Sequence, residues 1–284
     1  MNNILFLGHG YVSQYFVNNI HLDNYNYTAS INHNKHKYFS PPDNFNAIDF
    51  SKIDIKILDK FTNFVISIPP NYQEKTDIIT QKFYNYFLQR NTAYKLIYLS
   101  ATSVYGDHLG ARIDEDSALK AQSINGLARI SVEKKYLDLT KNSFANIIIL
   151  RLAGIYGPKR NNIAKIAEKI ITTHHFSKKI TSRIHVADIS NIIANIITNK
   201  IFKNEIFNLA DNKPCPTMQV NDYICTEILK IPTLKLDYSK KNFRHNSFAL
   251  DNKIVGNDKL LNKLQYQLLF SSYVQGLNHI YEQK

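Results

Sequence analysis

An apolar run at residues 3–7 stops at Gly8, and Gly8-His9-Gly10-Tyr11-Val12-Ser13 then opens a helical pattern. Two glycines in that setting can cradle a pyrophosphate. The first permits a tight turn, and the second lets phosphate approach the backbone, where helix N-terminal N–H groups and the helix dipole favour negative charge. Ser13 stands where a third glycine would complete G-x-G-x-x-G, small enough to keep helix–strand packing with some loosening. The bland alternative is a strand–helix turn with no ligand. After the second strand-like run, an acidic residue would accept hydrogen bonds from an adenosine ribose. The chain instead reads Ile31-Asn32-His33-Asn34-Lys35-His36-Lys37, with cations and no carboxylate, which suits a 2′-phosphate. The expected cofactor is therefore NADP, with NAD as the alternative, held by Gly8, Gly10, Tyr11, Val12, Asn32, His33 and Lys35. A solvated basic loop that touches nothing explains the same residues.

Other reactive residue types carry less. His185 and Asp188 resemble a hydrolytic pair in spacing only. The plainer expectation is a locally bonded His and an Asp that starts a helix, where its carboxylate meets free N–H groups. Cys215 and Cys225 have neither metal-ligand spacing nor a neighbouring His cluster, so two unpaired thiols in a reducing compartment are expected, and no metal. The 284 residues carry a net charge of +12, but Lys and Arg never run longer than a pair. Such dispersed charge also fits an AT-rich coding genome, and no nucleic-acid-binding signature accompanies it. No apolar stretch is long enough to span a bilayer, and the N-terminus lacks a signal-peptide pattern. The expectation is a cytoplasmic protein that engages neither membrane nor nucleic acid.

The elements that must position these residues follow from hydrophobic periodicity. Apolar runs at 3–7, 25–31, 64–70, 95–100, 145–152 and 206–209 read as strands. Helices are expected at 11–20, 74–90, 161–173, 187–199 and 218–229. Another, of about five turns, begins near residue 122 and turns Ile130, Val132 and Leu137 inward. Alternating strands and helices predict an α/β fold with a doubly wound parallel sheet.

Several motifs then converge in order. They are the N-terminal glycine loop, Ser67-Ile68-Pro69-Pro70, YLSATSVYGD (98–107), RLAGIYGPKR (151–160), RIHVADIS (183–190) and FNLADNKP (207–214). Together they resemble the extended and atypical short-chain dehydrogenase/reductases, in particular nucleoside-diphosphate-sugar epimerase- and dehydratase-like proteins, from residue 3 to about 276. The resemblance implies a Rossmann-type NAD(P)-binding domain at 1–155. A smaller mixed C-terminal substrate lobe is implied at 156–284, returning in part to the sheet near 183–210. It also implies that Ser67, Pro69, Ser100, Arg129, Ala153 and Gly154 lie along the cofactor, and that a small carbonyl or sugar is the substrate. Helix pairs often form homodimers in that superfamily, but the sequence leaves the oligomeric state open.

Chemistry of that kind needs a phenol as general acid/base, a Lys to lower its pKa from about 10, and a Ser or Thr hydroxyl to orient the substrate oxygen. The three positions read Asn125, Arg129 and Ala101. Ser100 and Thr102 flank Ala101, but their side chains belong to the opposite face of a strand. No Tyr in the chain is followed four residues later by Lys, so no shift of alignment restores the pair. Asn125 can hydrogen-bond but not exchange a proton near neutral pH, and Arg129 stays charged. Tyr105 is the candidate replacement acid; its alternative is a buried aromatic whose hydroxyl closes a local bond. Tyr156 is expected as a cleft wall, and Asp107, His108, Asp114 and Glu115 as solvated loop residues. Two functions remain: an NAD(P)-dependent oxidoreductase or epimerase with a non-standard acid/base, and a non-catalytic NAD(P)-binding sensor or partner-binding protein.

Overall fold

The computed structural model describes residues 2–31, 38–40, 45–171, 173–175, 179–199, 203–237 and 251–283. The expected cofactor contacts Asn32, His33 and Lys35 lie outside these residues, as does Lys37. The chain forms two compact units. One comprises residues 1–101, 124–151 and 189–207, and the other 102–123, 152–188 and 208–284. The division is interleaved: besides a boundary near residue 152 and a return to the first unit at 189–207, residues 102–123 fall in the second unit.

The first unit is built on a seven-stranded sheet. Its strands are β1 (Asn2–Leu7), β2 (Tyr25–Ile31), β3 (Asn46–Asp49), β4 (Asn63–Ile66), β5 (Tyr94–Ala101), β6 (Ala145–Leu152) and β7 (Glu205–Leu209). Their order is β7-β6-β5-β4-β1-β2-β3, with β1 parallel to both β2 and β4. Pairing β1 to β4, across a reversal of strand order, makes their C-terminal ends the crevice in which open α/β sheets bind ligands. The apolar runs are buried on both faces because helices cover them: Leu5, Phe64, Leu96 and Ile147 join one core with Phe83 and Phe87 of the Ile78–Gln89 helix and Val132 and Tyr136 of the Ile124–Asp138 helix.

Differences from the sequence reading have local causes. The strand expected over 64–70 ends at Ile66, ahead of the two prolines. The helix expected from 74 starts at Ile78, because the Asp77 carboxylate caps it by accepting the Ile79 and Thr80 N–H groups at 2.8 and 2.9 Å. Strand β3 went unread because it is short and mostly exposed. Of the three side chains expected inward on the Ile124–Asp138 helix, Val132 is fully buried, while Ile130 and Leu137 are half-buried. In the second unit the expected 161–173 helix covers only Ile163–Ala167, and Lys169 takes a left-handed φ of 57° just beyond it. Two C-terminal helices, Asp258–Leu264 and Tyr273–Glu282, lay outside the sequence reading. The second unit has its own core, in which Tyr156, Ile163, Ile224 and Leu277 pack together.

Two buried charges tie the first unit together. Lys95 of β5 donates to the Ile197 and Asn199 carbonyls at 3.3 and 2.8 Å and also to Ile196, closing the last turn of the Val186–Thr198 helix. Arg151 of β6 and Glu133 are only 3% and 2% exposed. Arg151 Nη2 donates to Glu133 Oε2 at 2.8 Å, and the Ser100 hydroxyl donates to Oε1 at 2.5 Å. Replacing Arg151 by Met leaves a buried carboxylate without its cation and is expected to cost about 3–5 kcal/mol in urea unfolding. Glu133→Gln/Arg151→Met should recover much of that loss; equal losses in the single and double variants would count against an ion-pair role.

Candidate functional site

The turn after β1 is shaped by glycine where the chain can accept nothing else. Gly8 has φ +105°, and a Cβ there would lie 2.8 Å from Ser67 Oγ and 2.9 Å from Ile68 Cγ1. Its N–H donates to Ser30 Oγ at 2.8 Å, and its carbonyl accepts the Ser67 hydroxyl at 2.9 Å. The ends of β1, β2 and β4 are thereby stitched around one residue. Ser67 serves this turn directly, while Pro69 two residues on is exposed.

Gly10 is the opposite case: it is exposed, and a Cβ there would have no atom within 4 Å. It precedes the Tyr11–Asn19 helix, which has no side-chain cap and no acidic residue in its first turn. Backbone N–H groups at such an end are matched to an anion. A dinucleotide pyrophosphate fits this arrangement: bare backbone, an uncapped helix start, and no carboxylate to repel it. Tyr11 and Val12 are buried, so their share in such a site is the main chain. Ser13, in the third glycine position, is fully buried, and its hydroxyl is 3.1 Å from His9 Nδ1. Gln14, missed in the sequence, braces the loop: its amide donates to the His9 carbonyl at 2.8 Å, and its carbonyl accepts the Tyr38 and Phe39 N–H groups at 2.8 and 3.0 Å. A polar residue facing inward on an otherwise apolar helix face is the only sequence signal it offered.

The acid–base positions of the first unit lie on β5 and the Ile124–Asp138 helix. Ala101 ends β5 and supplies no hydroxyl. Ser100 has one, already donated to Glu133. Asn125 and Arg129 sit one helical turn apart, both half-buried, and Arg129 Nη1 donates to the Leu99 carbonyl at 3.3 Å. Tyr98 is fully buried; burial drives its phenol pKa well above the usual value, and the Arg129 charge only partly opposes this. The helix therefore presents an amide and a fixed cation.

The remaining positions belong to the second unit. Tyr105 is 0% exposed, and its hydroxyl donates to Asn208 Oδ1 at 2.7 Å. Glu115, expected in solvent, is half-buried and accepts the Asn208 N–H at 2.7 Å; burial pushes its pKa up. His108 Nε2 lies 3.1 Å from both the Tyr105 and Ala118 carbonyls, and Asp107 accepts the Leu109 and Asn252 N–H groups at 2.9 and 3.0 Å, so both residues build the loop. Asp114 is exposed as expected. Ala153 and Gly154 donate their N–H groups to the Leu209 and Ser182 carbonyls at 2.9 and 3.1 Å. Thr102 is buried and, with Ser103, Thr181, Ser182, Asp251 and Lys253, lines a small recess of about 20 Å³ rich in hydroxyls. Lys253 is held in its wall by Asp251 Oδ2 and the Gly106 carbonyl, at 2.7 and 2.8 Å.

His185 is buried, its Nδ1 accepts the Ala187 N–H at 3.1 Å, and burial lowers its pKa to about 3, so the ring is neutral. Asp188 corrects the expectation of a helix-start cap. Its carboxylate instead accepts Leu269 N–H at 2.7 Å, Tyr266 hydroxyl at 3.0 Å and Phe270 N–H at 3.2 Å, all from the C-terminal segment. Cys215 and Cys225 are buried and unbridged, and no metal-ligating cluster occurs among the described residues. No described helix is long and apolar enough to cross a membrane.

The family model of the NAD dependent epimerase/dehydratase family matches residues 5–210. A search of the curated proteins finds no match. Among solved structures, the chain is similar to a functionally unknown conserved protein from Silicibacter pomeroyi DSS, at 24% identity and TM-score 0.86 over 100% of this chain and 99% of that one. It is also similar to UDP-glucuronic acid 4-epimerase from Bacillus cereus in complex with NAD, at 17% identity and TM-score 0.76 over 99% of each chain. A third similar structure is dTDP-glucose 4,6-dehydratase from Bacillus anthracis str. Ames in complex with NAD, at 17% identity and TM-score 0.79, covering 99% of this chain and 96% of that one. At these identities the likeness is one of fold.

The two glycines should respond oppositely to a methyl group. Gly8→Ala is expected to lower stability by about 1–3 kcal/mol, since it strains a positive φ and drives Cβ into Ser67. Gly10→Ala should leave the thermal midpoint nearly unchanged. Thermal unfolding of both variants checks this, and a harmless Gly8→Ala would mean that the turn is not constrained as described.

Proposed function

The chain belongs to the NAD-dependent epimerase/dehydratase family, and from that premise we propose that it binds a nicotinamide adenine dinucleotide at the Gly8–Ser13 turn. The observation that carries this reading is the uncapped start of the Tyr11–Asn19 helix beside the bare backbone of Gly10. Asn32, His33 and Lys35 are proposed for the adenosine ribose side, where the Lys35 cation favours a 2′-phosphate and thus NADP. That the similar Bacillus structures are complexes with NAD supports the cofactor class without choosing between the two forms.

When bound, the nicotinamide supplies a hydride donor or acceptor. The chain's own groups hold and orient. Arg129, anchored on the Leu99 carbonyl, offers a fixed cation for a ribose hydroxyl or phosphate, and Asn125 one turn earlier offers an amide. The hydroxyls of Thr102, Ser103, Thr181 and Ser182 in the second unit offer hydrogen bonds of the kind a small carbonyl or sugar takes. On this reading the protein is an atypical short-chain dehydrogenase/reductase, with Tyr105 as the acid/base candidate of its substrate unit and Thr102 as a candidate orienting hydroxyl.

A specific observation favours a second reading, a dinucleotide sensor without turnover. Ala101 has no hydroxyl, the Ser100 proton is committed to Glu133, and the Tyr105 proton is committed to Asn208. Neither Asn125 nor Arg129 replaces a phenol as a proton donor.

Calorimetric titration of nucleotide-stripped protein with NADPH, NADP⁺, NADH and NAD⁺ tests the shared premise. Binding at micromolar strength or better, about −8 kcal/mol, is expected. Gly10→Glu, which puts a carboxylate into the proposed phosphate site without touching packed atoms, should weaken binding at least about tenfold. No binding of any of the four at low salt removes both readings. Given binding, turnover on a carbonyl panel that disappears in Tyr105→Phe supports the enzyme. Tight binding without turnover, followed by activity in Asn125→Tyr/Arg129→Lys, supports the sensor.

A further inference from the structure

Asp211 is a carboxyl with no role in the dinucleotide reading and an unusual setting. It is 2% exposed; Oδ1 accepts the Lys213 N–H at 3.1 Å, but no donor among the described residues reaches Oδ2. It cannot swing out to water cheaply. Its N–H donates to the Arg183 carbonyl at 2.5 Å, and the Asn212 N–H donates to the Ser271 carbonyl at 2.9 Å. The Asn257 amide donates to the Ala210 carbonyl at 2.7 Å and to Asn212 Oδ1 at 2.9 Å.

A second buried carboxyl shares the neighbourhood. Asp188 is fully buried, and burial raises its pKa, but Leu269, Tyr266 and Phe270 donate to it and pull towards the anion. Two acids in one apolar region, one richly solvated by the protein and one left with a single donor, divide into an ionised and a neutral member. The groups facing Asp211 are Arg183 on the neighbouring strand, Asp188 in the first helical turn after it, Tyr156 on the paired strand, and Cys215. Burial outweighs the pull of Arg183, Asp188 adds to it, and together they push Asp211 up to about 7.

We propose that Asp211 is a proton-holding switch beside the C-terminal strap formed by residues 266–272. Neutral, it lets Asp188 hold the strap as an anion. Ionised, it adds a second buried negative charge with an unpaired oxygen and loosens that hold.

The sign of the effect is fixed by linkage. A carboxyl raised from about 3.9 in the unfolded chain binds more protons when folded. Its stabilising share is therefore present below about pH 4 and lost as pH rises towards neutrality. Asp211→Asn, a neutral isostere, deletes this titration.

Thermal unfolding of the full chain is compared for wild type and Asp211→Asn between about pH 5 and about pH 8. The two should differ least at the acidic end, with the variant more stable by a margin that grows to several degrees at the alkaline end. Amide-exchange protection of Leu269 and Phe270 should fall severalfold in wild type over the same range and stay level in the variant. A constant offset, or a variant less stable throughout, overturns the proposal, since either result means that Asp211 is ionised and paired with Arg183. Should the variant fail to fold, the carboxyl ¹³C shift of wild-type Asp211 decides the matter: a midpoint near neutrality supports the switch, and one below about pH 5 overturns it.

Discussion

Arg151 of β6 reaches Glu133 of the Ile124–Asp138 helix inside a core that excludes water, and the Ser100 hydroxyl at the end of β5 joins them. Buried ion pairs often contribute little net stability against an apolar substitute, but they do not tolerate a partner being removed or displaced. This one fixes the rotation and axial position of a helix against two strands. Asn125 and Arg129 lie two and one turns before Glu133, so the pair also sets where the amide and the guanidinium emerge. Val132 and Tyr136 fill the apolar space on either side. A helix held by packing alone could slide with little penalty; one held by a bidentate charge pair has a single register.

The need to satisfy buried polar groups also governs the neighbouring hydroxyls. Ser100 is spent satisfying Glu133, and Tyr105 is spent on Asn208. A buried polar group is costly unless bonded, so each hydroxyl has been drawn into the nearest acceptor. At the Asn125 and Arg129 positions stand an amide and a cation anchored on the Leu99 carbonyl. The glycine turn, by contrast, is a matter of backbone: Gly8 takes a positive φ, and Gly10 leaves the helix start bare.

The second unit follows a different logic. Asp188 bridges the start of one helix to the C-terminal segment, and Tyr156 is packed so closely that a Cβ on Gly276 would lie 2.4 Å from its hydroxyl. Side-chain acceptors, rather than a shared sheet, hold the C-terminal segment in place.

The sequence by itself determined the sheet strands with apolar runs, the glycine turn and the family. Each depends on residue type and local spacing: apolar continuity for β5 and β6, and positive φ for Gly8. Strand β3 escaped because an exposed edge strand carries no apolar period, and the short Ile163–Ala167 helix because periodicity does not mark where a helix stops. Only the tertiary structure decided the destinations of polar side chains. Glu133 finds Arg151, Asp188 finds Leu269 and Phe270, Tyr105 finds Asn208, and Asp211 Oδ2 finds no donor among the described residues. Their partners lie between 18 and 103 residues away along the chain. A hydrogen bond is short-ranged in space but indifferent to sequence separation, so folding had to bring the partners together before their chemistry could be read.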